Sequence, residues 1–173
     1  MSRGFDEFRC ALTPHKRCVL RTIESGQFVY SELDPVRGRG RELARTTWSG
    51  SVLGDWALSS DGSRVATPSH DVPEARIHVL ALDSPSGKPA GHDIEVPGLS
   101  QLKGIYWSAD DRGWFASLNS AMGVNIAYIA HSGQFHMVRE GPVTTWGIPS
   151  PDGHHLAFVD QTRMSNYWLL DRH

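Results

Sequence analysis

The residues of this chain best equipped for chemistry are an acid and two adjacent imidazoles, Asp152, His154 and His155, in "IPSPDGHHLAFV". Such a grouping is raw material for general-base catalysis or for a metal. Nine histidines occur, yet none stands in an H-E-x-x-H pattern or a close Cys/His cluster, so a dedicated metal site is not expected. Ser51 in "WSGSVLGDW" is nearest to a G-x-S-x-G nucleophile elbow, and its spacing fails. No catalytic residue and no cofactor are expected. Whether Asp152 to His155 form a site or only a turn depends on the elements that carry them.

A chain of 173 residues is long enough for one substantial core, and its 39% apolar and 21% charged residues are ordinary for a globular protein. Seventeen Lys+Arg against nineteen Asp+Glu leave a net charge of -2, so no global basic field points to nucleic acid. No apolar run approaches the roughly 18 residues of a membrane span. The opening "MSRGFDEFRCALTPHKRC" has no apolar core of a secretory signal, which places the chain as written in the cytoplasm, or in the periplasm if it is part of a longer exported protein. Cys10 and Cys18 flank one hairpin turn. With Thr13 to Lys16 as the turn, Cys10 stands across from Val19 and the thiols point to opposite faces, so two free thiols are expected unless the register differs by one residue.

A repeat supplies the elements. "ALTPHKRCVLRT", "ALSSDGSRVATP", "YWSADDRGWFAS" and "IPSPDGHHLAFV" each hold an apolar lead-in, a Ser or Thr, a polar turn and a second apolar strand. His15, Asp61, Asp110 and Asp152 share a column at spacings of 46, 49 and 42. A second column of apolar strands ends at Asp34, Asp83, His131 and Asp171, which lie 19, 22, 21 and 19 residues further on. The first three repeats add a fourth short strand, "RELAR", "HDIEVPG" and "FHMVRE". Four strands at a period in the forties is the signature of a β-propeller blade. The expected fold is therefore all-β, with blades over approximately 7–46, 53–97, 102–141 and 144–173, the last lacking its outer strand. No sustained i, i+3, i+4 pattern occurs, so essentially no helix is expected. Asp152 is then the residue that caps the backbone of a tight turn, since its column recurs without the histidines.

"SPDGHHLAF" and "SSDGSRVAT", each followed by an apolar strand ending in Asp, resemble the repeats of TolB-like propellers, also called WD40-like or PD40 repeats. The resemblance covers nearly the whole chain, with departures at "TPHK" in the first repeat and at Asp111, where Gly is usual. It implies a non-enzymatic interaction or sensory module, and the TolB protein itself is periplasmic. The tail is similar to the last blade of bacterial propellers attached to kinase or winged-helix regulatory domains. "SADDRGW", Ser108 to Trp114, is similar to the Asp-box turn of sialidases but has Arg112 where Gly belongs, and that box is structural. Such propellers usually have six or more blades. Of a four-bladed ring, a ring of two chains and a missing partner half, the ring of two chains is expected, because identical edges can associate symmetrically.

The expected binding surface is the loop-rich end formed by the fourth-to-first and second-to-third strand connections. Its distinctive residues are Trp48, then His70, Asp71 and Glu74, then Lys103, Trp146 and Arg163, with a protein as the expected partner. Trp56 is expected in the core. Trp146 fits core and surface equally. The arginines of "ELDPVRGRGRELAR" are read as charges that blunt an edge strand. An accessory role beside a hydrolase encoded elsewhere, or a lectin-like role drawing on Trp48 and Trp146, stay open as alternatives.

Overall fold

The computed structural model describes residues 6–11, 17–47, 55–69, 74–84, 90–120, 123–140 and 144–160. Among them every regular element is a strand. The first blade is the meander β1 (Glu7–Cys10), β2 (Cys18–Glu24), β3 (Gln27–Asp34) and β4 (Gly38–Thr47). The second is β5 (Ala57–Leu58), β6 (Arg64–Ser69), β7 (Ala75–Ala81) and β8 (Ala90–Val96). The third is β9 (Leu102–Trp107), β10 (Gly113–Ser120), β11 (Gly123–Ala130) and β12 (Phe135–Arg139). The fourth repeat contributes the antiparallel pair β13 (Thr144–Pro149) and β14 (Leu156–Asp160). The strand expected at "YWLLD" lies outside the described residues.

Each blade has two apolar faces because neighbouring residues on a strand point to opposite sides of the sheet. The second blade shows this most directly. Val65 and Leu80 pair across β6 and β7 and pack with Tyr30, Phe28 and Trp56 against the first blade. The next pair along, Ala66 and Val79, faces the other way and packs with Ile77 against Trp107 and Trp114 of the third blade. Small residues at Ala57, Ala66, Ala116 and Ala127 leave room for those two indoles, whose ring centres stand 4.8 Å apart. Trp56 is fully buried, as expected. The innermost strands stand in chain order, with β1 packed on β5, β5 on β9 and β9 on β13.

The expected pairing of the cysteines is corrected. Cys10 stands across from Cys18, and the two form a disulfide. The Ala11 amide donates to the Arg17 carbonyl at 2.7 Å, which makes 11 and 17 a hydrogen-bonded pair. The adjacent pair, 10 and 18, is then the narrow one, with side chains on one face and Cα atoms 3.9 Å apart. The one-residue difference in register moves both thiols to the same side.

The arginine-rich segment forms the outer strand β4 and is tied down by carboxylates. Arg39 pairs with Glu24 at 2.5 Å, and Arg45 with Glu42 at 2.7 Å. Arg41 reaches both Glu32 at 3.0 Å and Asp83 at 2.6 Å, and Arg17 also pairs with Asp83, so this network bridges the first two blades. The Arg39 hydrogen bond holds the Glu24 carboxyl below the usual carboxylate range. These groups are exposed enough for water to screen them, so they set the edge of the blade more than its stability.

Candidate functional site

The turns that join first to second strands are built alike in the second, third and fourth repeats. The hydroxyls of Ser59, Ser108 and Ser150 donate to Asp61, Asp110 and Asp152 at 2.6, 2.7 and 2.5 Å. The same carboxylates accept the amides of Ser63, Arg112 and His154. Each serine oxygen in turn accepts an amide five residues on, from Arg64, Gly113 and His155. The Ser150 hydroxyl and the His154 amide hold the Asp152 carboxyl below its usual range, and Ser108 and the Arg112 amide do so for Asp110. Asp152 is therefore a turn cap, and His154 and His155 stand exposed where β14 begins.

The turns also pack on each other. The residue after the capping Asp has a left-handed backbone in all three, at Gly62 (φ 72), Asp111 (φ 54) and Gly153 (φ 72). Asp111, the departure from the repeat, has a use. Its carboxylate accepts the amide of Ser60 at 2.9 Å and the hydroxyl of Ser60 at 2.5 Å, which latches the second blade to the third. Asp111→Ala should cost about 2 kcal/mol, from the two lost charge-assisted bonds. Asp111→Gly should recover roughly 1 kcal/mol of that by relieving the left-handed backbone. Thermal melts of the parent and the two variants check this, and an Asp111→Ala midpoint equal to the parent's would leave the latch without a role.

Beside these turns lies a cleft of about 600 Å³ lined by the innermost strand of every repeat. Phe8, Arg9 and Cys10 of β1 face Ala57 and Leu58 of β5, Tyr106 and Trp107 of β9, and Ile148 and Pro149 of β13. The lining is mainly apolar, and Phe8 and Ile148 are 64% and 45% exposed. The one cation among these lining residues, Arg9, pairs with Asp55 and lies over the rings of Tyr106 and Trp56, 5.1 and 5.6 Å from their centres. Its buried Nε has no hydrogen-bond partner among the described residues. Ser60, Ser108 and Ser150 reach the rim, but each directs its proton to an aspartate. The cleft thus offers a ligand apolar surface, hydroxyl lone pairs and one oriented guanidinium.

A second cleft of about 730 Å³ opens on the outer side of the same turns, between the third blade and the β13–β14 hairpin. Tyr128, His136, His154 and His155 line it. The two clefts share Ser108, Ala109, Pro149 and Pro151 as a common wall. Among the described residues, no group of three His, Cys, Asp or Glu is placed to hold a metal ion.

No protein-family model and no curated protein sequence matches this chain. Solved structures do. TolB from Acinetobacter baumannii superposes with a TM-score of 0.65 at 17% identity, over 94% of this chain and 40% of that one. The fold is that of a TolB-like β-propeller. A TolB candidate from Agrobacterium tumefaciens gives a TM-score of 0.59 at 16% identity, over 88% of this chain and 53% of that one. This TolB-like segment spans about half the length of those structures, or less.

Two of the site residues expected from sequence, Glu74 and Lys103, do not line these clefts. Glu74 stands just before β7 and Lys103 near the start of β9, both exposed. The Ala75 amide donates to the Leu99 carbonyl at 2.8 Å, which brings their two connections together. Trp146 lies within β13. Trp48, His70, Asp71 and Arg163 lie outside the described residues. Phe8, Arg9, Tyr106 and Ile148 were missed as a set. Their only mark in the sequence is that each falls on the first strand of a repeat, the strand that a propeller turns toward its axis.

Proposed function

We propose that this TolB-like segment is a non-enzymatic interaction module, and that it takes an extended segment of a partner protein at the turn end of its innermost strands. The observation that carries the reading is the cleft at the ends of the four innermost strands, apolar and flanked by two exposed anchors, Phe8 and Ile148. Exposed aromatic and aliphatic groups around a pocket with one fixed arginine are what a protein partner's side chain recognises. The second cleft beyond the shared wall lengthens that surface, which favours a chain over a compact metabolite.

Binding is also what the polar groups suit. The rim serines Ser108 and Ser150 bond to carboxylates, Asp110 and Asp152, whose ionisation the turn favours, and such carboxylates are poor bases for activating a hydroxyl. A photoactivatable side chain placed at Phe8 should form a discrete protein adduct in cells. The same group at Val36, 94% exposed on the outer turn of the first blade, should not. Equal adducts from both positions would overturn the proposal.

A further inference from the structure

The disulfide and the cleft share a residue. Cys10 lines the cleft, is itself exposed, and is bonded to the half-buried Cys18 of β2. β1 is a strand of four residues that, among the described residues, pairs along one edge only, with β2. Its two faces are held by different means. Glu7 and Arg9 face the second blade: Glu7 accepts from Arg21 of β2 and from Trp56, and Arg9 pairs with Asp55. On the other face stand Phe8 and Cys10. Phe8 is mostly exposed, so packing restrains it little, and the covalent bond two residues along is the tie that keeps this face of β1 on Leu20 and Cys18.

We infer that the Cys10–Cys18 disulfide is a redox-responsive clamp on the cleft, opened by a dithiol reductant with loss of ligand affinity. The inference rests on the reading of the cleft as a binding site. The chemistry is thiol–disulfide exchange. A reductant thiolate attacks Sγ of Cys10, the more exposed sulfur, and the Cys10–Cys18 bond breaks. Cys18 leaves as a thiolate and takes a proton from solvent. The second thiol of the reductant then attacks the mixed disulfide and releases Cys10, so two electrons pass to the protein and the reductant leaves as its cyclic disulfide. With the clamp open, β1 keeps only its ladder to β2 and the ion pairs on its far face, and the wall carrying Phe8 loosens. Linkage makes the effect reciprocal: a ligand that prefers the clamped wall protects the disulfide from reduction by the same factor.

The test uses the full chain and an anilinonaphthalenesulfonate dye, whose rings suit the apolar lining and whose sulfonate suits Arg9. Iodoacetamide applied to the native protein should add no label before dithiothreitol and two labels after it, read by intact mass. Dye affinity should fall about fivefold or more on reduction. Amide exchange over residues 7–11 should rise at the same time, while that of the third blade stays unchanged. Cys10→Ser with Cys18→Ser should bind the dye like the reduced protein. Two labels before any reductant, or equal dye affinity in the oxidised and reduced forms, would overturn the clamp. Phe8→Ala in the oxidised protein separates the two ideas. If it leaves dye binding unchanged, the cleft is not the site and the clamp falls with it. If it weakens binding while reduction does not, only the clamp is lost.

Discussion

Glu7→Ala should cost this protein about 3 kcal/mol of folding stability, although Glu7 sits on a four-residue strand and its side chain is 41% exposed. The reason is its partner. The Arg21 side chain is only 3% exposed and pairs with Glu7 Oε2 at 2.6 Å. Its guanidinium lies over the rings of Phe28 and Trp56, 4.7 and 5.6 Å from their centres, and one of its terminal nitrogens is buried with no partner among the described residues. The same Glu7 oxygen accepts the indole N–H of Trp56 at 3.0 Å. Removing the carboxylate strands a buried cation and orphans a buried donor together. Removing the cation as well should repair most of the damage, because methionine keeps the apolar stem of Arg21 against both rings. Glu7→Ala with Arg21→Met should lie within roughly 1.5 kcal/mol of the parent, the remainder being the lost indole bond. Urea unfolding of the two single variants and the pair decides this. A double variant no more stable than Glu7→Ala would mean that the carboxylate acts through something other than the buried charge.

Gly133→Ala should be at least as damaging, at about 4 kcal/mol. Gly133 lies in the turn between β11 and β12 with φ of 80, and its amide donates to the Ala130 carbonyl at 2.9 Å. A Cβ there would fall far inside contact distance of the Glu95 carbonyl oxygen on β8. That neighbour is backbone in the adjacent blade and cannot swing aside. The left-handed conformation accounts for about 1 to 2 kcal/mol of the cost. Overpacking adds up to roughly 3 kcal/mol by forcing the second and third blades apart. Gly26→Ala separates the two contributions. Gly26 has φ of 74, but a Cβ there would meet nothing within 4 Å, so only the backbone cost of about 1 kcal/mol applies. If the two variants melt together, the close approach of Gly133 to the neighbouring blade is not a constraint on the fold.

The two glycines look alike in sequence, "SGQF" and "SGQF", and their surroundings differ entirely. The same division runs through the rest of the protein. Alternating apolar residues and the Ser-x-Asp turns were legible because each is local: a strand needs period two, and a turn needs its cap a few residues away. Three complete blades and the inner pair of the fourth followed, and Asp152 with its histidines was correctly read as a turn. The cysteine register was not legible, because the sequence between the two strands allows Cys10 to stand across from either Val19 or Cys18, and the choice inverts the face of every side chain on β1. Nor could the cleft be read from the chain. Arg9 meets Asp55, and Ser60 meets Asp111, only after blades have been set side by side.

What the sequence by itself determined is the blade: strand ends, strand order, the caps of the turns and the two apolar faces, all of them set by contacts within about 50 residues. What only the tertiary structure decided is the site. Phe8, Tyr106 and Ile148 come from three different repeats, and they share a cleft because sheets stacked face to face bring their first strands side by side. That convergence depends on how the blades pack, and no local pattern along the chain encodes it.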